Sequence, residues 1–146
     1  MDRVYVAEND LERERLKTLI NRLSIEELSR PMPAGWTVAG VLAHLAFWDA
    51  RVIHMLDLWE SGSEPKAAVM NRELVNEVND AAKPLCLAIA PRAAADLALR
   101  MAEEADRRVA GMSDELVSKM LAVGQPFNLS RASHRREHID EIEKVV

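Results

Sequence analysis

The sequence predicts an all-α protein whose helices form a four-helix bundle. Helix-forming Ala, Leu, Glu, Arg and Met are abundant along the chain. No stretch alternates apolar with polar residues in the way that marks a half-buried strand. Four stretches of roughly 15–23 residues carry apolar residues at helical spacing, and four such helices are what a bundle requires.

Composition limits the class of protein and its partners. The 146 residues suffice for one domain and are few for two, so we expect one bundle domain over residues 1–146. Hydrophobic residues make up 49% of the chain and charged residues 29%, as in ordinary soluble proteins. The net charge is −5 and no basic block is present, which argues against nucleic acid and anionic membranes as partners.

The sequence also favours a cytoplasmic location. Its N-terminal segment lacks the apolar core of a signal peptide, and its longest weakly polar run is too short to span a bilayer. One cysteine, Cys86, excludes an internal disulfide and fits a reducing compartment. The apolar neighbours of Cys86 predict a buried, inert thiol.

The first helix is predicted from about Asp10 to Leu23. Ser24 with Glu27 three residues later forms a capping-box pattern for one short helical turn. Three residues that end helices follow this turn: Pro31, Pro33 and Gly35. The apolar side of the first helix is formed by Leu11, Leu16, Leu19, Ile20 and Leu23.

The second helix is predicted from Val38 to Glu60, with Thr37 as its N-cap. The connection that follows, from about Ser61 to Pro91, is long enough for a crossover. Within it, residues 67–90 are expected to form a helix broken or kinked at Pro84, because proline removes a backbone donor. The apolar face of the second helix is formed by Val41, Leu42, Leu45, Val52, Ile53, Leu56 and Trp59.

Two further long helices complete the predicted bundle. Pro91 suits the first turn of a helix that ends at Gly111. Residues 112–128 are expected to be a loop or a weak helical turn, and the last helix runs from about Ser130 to the end of the chain. The third long helix carries apolar residues at helical spacing: Leu97, Met101, Ala105 and Val109.

The last helix carries a pair of histidines, His134 and His138. Residues four apart on a helix are separated by about 40° around its axis and about 6 Å along it, so both imidazoles can reach one small ion. Ile142 and Val145 continue the same stripe, which indicates that the pair faces inward. Zinc-like sites require three or four protein ligands, so a third donor is needed.

His44 is the best candidate for that third donor. It shares a helical face with Val41 and Trp48. His54 lies about 80° away around the same helix and is read as a surface or rim residue. The alternative is that the histidines only pack against the core, because an HxxxH pair by itself arises often in helical proteins.

Two segments resemble a known family, the DinB/YfiT-like proteins. "GWTVAGVLAHLAFWDARV", residues 35–52, resembles the start of that family's second helix, and "SHRREHIDEIEKV", residues 133–145, resembles its last helix. The order and length of the helices agree over the whole chain. The resemblance implies a four-helix bundle in which His44, His134 and His138 bind a divalent metal, most often zinc or nickel.

Several residues near these histidines have more than one possible role. Trp36 and Trp48 either wall a ligand pocket or are buried bundle aromatics. Asp49 either orients a metal ligand, holds an arginine, or is a helix-surface carboxylate. Glu137 does not reproduce the HExxH pattern of metalloproteases, because it directly precedes the second histidine and points off the metal face.

Two classes of function remain open. The resemblance implies a metal-dependent transferase or isomerase that uses a low-molecular-weight thiol, acting on a small molecule; no catalytic residue is identified. The alternative is a non-catalytic helical binding or stress-response module in which the metal is structural or absent. A fourth protein ligand would favour the structural role, and an open fourth position would favour chemistry. The resemblance and the many apolar positions also suggest a homodimer.

Overall fold

A computed structural model describes all 146 residues and confirms the predicted all-α class. No helix is both long and apolar enough to cross a membrane. The seven helices are α1 (Val4–Arg22), α2 (Ile25–Leu28), α3 (Val38–Glu60), α4 (Arg72–Ala88), α5 (Pro91–Ala110), α6 (Asp114–Ala122) and α7 (Ala132–Glu143).

A small hairpin precedes α3, where the sequence gave no strand signal. Strands β1 (Pro31–Met32) and β2 (Trp36–Thr37) pair antiparallel, with Met32 opposite Trp36. A single 3₁₀ turn joins them and places Ala34 and Gly35 at φ values of 60° and 79°. Each strand has only two residues, so no alternation could have revealed them.

The first helical segments largely follow the prediction. α1 begins at Val4, earlier than the expected Asp10. Leu11 is 67% exposed and does not belong to the buried stripe, whereas the other predicted apolar residues of α1 are buried. The capping box is confirmed, since Glu27 N donates to Ser24 Oγ and Ser24 N donates to Glu27 Oε1, both over 3.1 Å.

The segment predicted to be broken or kinked at Pro84 is not broken there, because α4 continues through the proline to Ala88. Pro84 lies on the exposed side of the helix, so the backbone carbonyl that loses its donor can bond water. On the opposite side, Cys86 is buried, as expected, and packs in the core with α3. A Cβ at Gly40 of α3 would lie 2.8 Å from Leu87 Cδ2, so this glycine permits the close approach of α4.

Two other segments differ from the expectation. Residues 114–122 form the nine-residue helix α6 rather than a loop or a weak helical turn. Ser113 begins this helix, and its Oγ accepts from Leu116 N over 3.1 Å. On α5 the fully buried side is not formed by Leu97 and Met101, which are half-buried. It is formed mainly by small residues that let α5 approach α3 closely: Ala94, Ala95, Ala98, Ala102 and Ala105.

A buried polar layer separates two apolar clusters. On α3, Asp49 lies between the larger cluster, which includes Leu45, and the smaller one, which includes Val52. On α5, Asp106 occupies the corresponding position, and Arg135 of α7 is 1% exposed between the two carboxylates. The candidate histidines lie at the end of this layer.

Candidate metal centre

Three histidines from two helices converge at one point. α3 supplies His44 and α7 supplies His134 and His138. His134 Nε2 lies 3.0 Å from His44 Nε2 and 3.1 Å from His138 Nε2. The third donor chosen from the sequence is therefore adjacent to the HxxxH pair.

The donor set fits a zinc-like ion. Two ligands of a tetrahedral ion with bonds near 2.0–2.1 Å are separated by about 3.3–3.4 Å, close to the Nε2 separations found here. The three ligand atoms all lie within 4.8 Å of one another, and no fourth His, Cys, Asp or Glu joins the group. This arrangement leaves a coordination position that no protein side chain fills.

Burial keeps two of the imidazoles neutral. Desolvation, and to a lesser extent the neighbouring His138, lowers the pKa of His44 to about 4. Desolvation followed by the charges of His138 and His44 lowers the pKa of His134 to about 2. Neutral imidazole is the form that binds a metal, so these two side chains are ready as ligands at neutral pH.

Glu141 orients the third imidazole. Its Oε2 lies 3.2 Å from His138 Nδ1, one helical turn further along α7. When this carboxylate accepts the Nδ1 proton, the lone pair of His138 is on Nε2, which faces the other two rings. A carboxylate in this position is the usual partner of a metal-binding histidine.

Asn9 of α1 fixes the beginning of α7. Its Oδ1 accepts from Ala132 N over 2.9 Å, and its Nδ2 donates to Leu129 O over 3.0 Å. No side chain of α7 caps this helix itself, and Asn9 is 2% exposed. The register of the histidine pair is thus set by a residue more than 120 positions earlier.

Two arginines beside His134 hold α7 against its neighbours. Arg135 donates to both oxygens of Asp106 over 2.7 Å and to Asp49 over 3.2 Å. Arg131 donates to the other oxygen of Asp49 over 3.0 Å. Asp49 therefore holds arginines, as one of its readings proposed, and these pairs fix α7 relative to α3 and α5.

The cluster lies between two clefts. The larger, about 720 Å³, is lined by His44, His138 and Trp36. The smaller, about 350 Å³, is lined by His134 and Trp48. Both tryptophans thus border clefts at the histidine cluster, the first of their two readings.

Other residues considered from the sequence lie apart from the cluster. His54 and Glu137 are exposed and do not belong to it. Cys86 is a free, buried thiol whose pKa is raised by burial. Asn9, Asp106, Arg135 and Glu141 were not singled out from the sequence; only Glu141, three residues after His138, had a local signal.

Comparison with known proteins gives one match. The family model described as "Mycothiol maleylpyruvate isomerase N-terminal domain" matches residues 10–127. The matched range includes His44 and ends before His134 and His138. No curated protein and no solved structure matches the chain at a significant level.

Proposed function

The chain belongs to the mycothiol maleylpyruvate isomerase N-terminal domain family, within the DinB/YfiT-like helical superfamily, and we propose that it binds a divalent metal through His44, His134 and His138. One observation carries this proposal: three imidazole nitrogens from two helices point at a common centre with separations of 3.0 and 3.1 Å. Imidazole suits zinc and nickel, and these are the proposed metals.

We further propose that the protein is a transferase or isomerase that uses a low-molecular-weight thiol. The family name supports a thiol of the mycothiol type. His44, His134 and His138 would hold the metal, and a metal bound there would favour the thiolate form of a thiol at neutral pH. The larger cleft opens at His44 and His138 and is wide enough for a small molecule.

The protein's own residues would position the reactants. His44 and His134 stay neutral through burial, and Glu141 fixes the orientation of His138. Trp36 stands edge-on to His44 with ring centroids 5.7 Å apart, so it forms part of the wall of the larger cleft beside the cluster. No residue is proposed as a general base.

The alternative is a binding or stress-response module without turnover. A structural zinc site is usually closed by four protein ligands, whereas this cluster has three. The missing fourth ligand and the adjoining clefts favour chemistry over a structural role.

We also propose that residues 1–146 form one domain, because α7 packs on α1 and completes the bundle. A cytoplasmic homodimer stays a prediction.

The test begins with the full chain purified without a nickel column. Elemental analysis should find about one zinc or nickel ion per chain. Cobalt(II)-substituted protein should then change its absorption spectrum when mycothiol is added, and a screen of electrophilic acceptors should show thiol-dependent turnover. If the protein binds metal but mycothiol does not change the cobalt spectrum, the non-catalytic alternative is supported. If the purified protein contains no stoichiometric metal, the site is refuted.

A further inference from the structure

The smaller cleft is lined by basic side chains and by no acidic ones. Fifteen residues line it, among them Arg51 and Arg131, and none of them is Asp or Glu. The larger cleft is different, since Asp80 and Glu141 line it together with Lys144. The two sides of the histidine cluster therefore suit ligands of different charge.

Arg51 has no acidic partner. It forms no ion pair and no side-chain hydrogen bond, whereas Arg131 is partly neutralised by Asp49. The Arg51 side chain is half-buried, and its pKa is lowered by burial and then by the charge of Arg131. No protein carboxylate therefore competes with a bound anion for the N–H groups of Arg51.

The geometry of Arg51 suits a planar anion. Its guanidinium carbon lies 5.8 Å from the centre of the Trp48 ring. A cation–π contact at this distance occupies none of the N–H groups of the guanidinium, whose planar edges match the two oxygens of a carboxylate. Apolar side chains continue the wall of the cleft: Val52, Met70, Val75 and Phe127.

We propose that the smaller cleft is a carboxylate-binding subsite, in which Arg51 binds the acid group of an organic anion whose apolar part lies along the cleft wall. His134 lines the same cleft, so a ligand held by Arg51 is next to the histidine cluster. The subsite depends on the proposed function in one respect only, namely that the bound anion is the enzyme's second substrate. The thiol and the anion would then reach the cluster from its two sides.

The test is a binding titration of full-length protein treated with a chelator, with benzoate as the probe. The indole N–H resonance of Trp48 reports on the smaller cleft, because Trp48 lines that cleft and not the larger one. Benzoate should give a saturable shift below roughly 20 mM, a range that saturates a site with a Kd near 1 mM. Benzamide, its neutral analogue, and inorganic phosphate should give none.

Matched variants locate the site. Arg51→Gln should weaken benzoate binding roughly tenfold or more. The affinity of Arg51→Lys should lie between that of Arg51→Gln and that of the wild type, because lysine keeps the charge but loses the planar fork. Arg100→Gln, which makes the same charge change at an exposed position on α5, should leave binding unchanged.

Several results would overturn the subsite: no saturable benzoate shift, equal binding by Arg51→Gln, or binding of benzamide or phosphate as strong as that of benzoate. Because the titration uses metal-free protein, its failure is separate from a failure to bind metal or thiol. A protein that binds benzoate but no metal would refute the proposed function and leave the subsite standing.

Discussion

The Nε2 atoms of His44 and His134 lie 3.0 Å apart, although 90 positions separate the two residues in the chain. Both side chains are largely shielded from water, and both have lowered pKa values. These two neutral imidazoles and His138 together form the proposed metal centre.

Replacing a proposed ligand should remove the metal. His44→Ala, His134→Ala and His138→Ala should each lose most bound zinc or nickel, because two remaining imidazoles bind weakly. Elemental analysis of each purified variant measures the metal content. His54→Ala is the matched control on α3 and should retain the wild-type amount, since His54 is exposed and outside the cluster. Full metal in all three ligand variants would show that the histidines only pack against the core.

The stability of the metal-free protein should decrease as pH falls below about 6.5. The folded state lowers the pKa of His44 to about 4, so in the window between these values the unfolded chain binds more protons than the folded one. The contribution is fully present above the unfolded pKa and is lost at about 1.4 kcal/mol per pH unit for such a group. Below pH 4 the contribution of His44 levels off.

Urea unfolding between pH 7.5 and pH 4.5, followed by circular dichroism, measures this dependence. The His44→Gln variant should show a shallower decline than the wild type. A wild-type free energy of unfolding that stays constant over this range would contradict the lowered pKa of His44.

Glu141 should tune metal affinity without being a ligand. Glu141→Gln removes the carboxylate that lies 3.2 Å from His138 Nδ1, and loss of such a partner typically weakens metal binding about 10–100-fold. Competition with a chromophoric chelator measures the affinity. Glu137→Gln makes the same change at an exposed neighbouring position and should leave the affinity unchanged; equal losses in both variants would point to a general charge effect.

Arg135 should contribute far more to stability than an arginine on the surface. Arg135→Met leaves the carboxylates of Asp49 and Asp106 buried without this partner, and breaking a buried pair costs about 3–5 kcal/mol. Arg107→Met removes a surface pair with Glu104 and should destabilise the fold far less, because solvent screens an exposed ion pair. Chemical denaturation measures both, and similar losses would indicate that the buried layer carries no special stability.

Local patterns in the sequence determined the class of the fold and the beginnings of several helices. Apolar spacing predicts all-α structure because every helix buries one side. The caps at Ser24 and Thr37 are confirmed because a side-chain oxygen and a backbone N–H within the same turn suffice to form them. The same local logic places His134 and His138 on one face of α7.

Patterns failed where a neighbouring helix decided the outcome. Pro84 reads as a break in isolation, but the glycine at position 40 lets α4 pack closely on α3, and the proline faces water. The alanines of α5 look unremarkable in the sequence, yet they form the most deeply buried side of that helix. The burial of a residue depends on how closely two helices approach, and the sequence of either helix alone does not reveal that distance.

The sequence by itself thus determined the four long helices and the HxxxH pair and, with the family resemblance, the choice of His44. Only the tertiary structure decided how α7 meets its neighbours. Asn9 of α1 caps it, and Asp49 of α3 and Asp106 of α5 hold Arg135. The tertiary structure also created the two clefts and left Arg51 without a partner. The physical reason is range: helical periodicity relates residues three or four apart, whereas contacts between distant segments depend on the packing of the whole bundle.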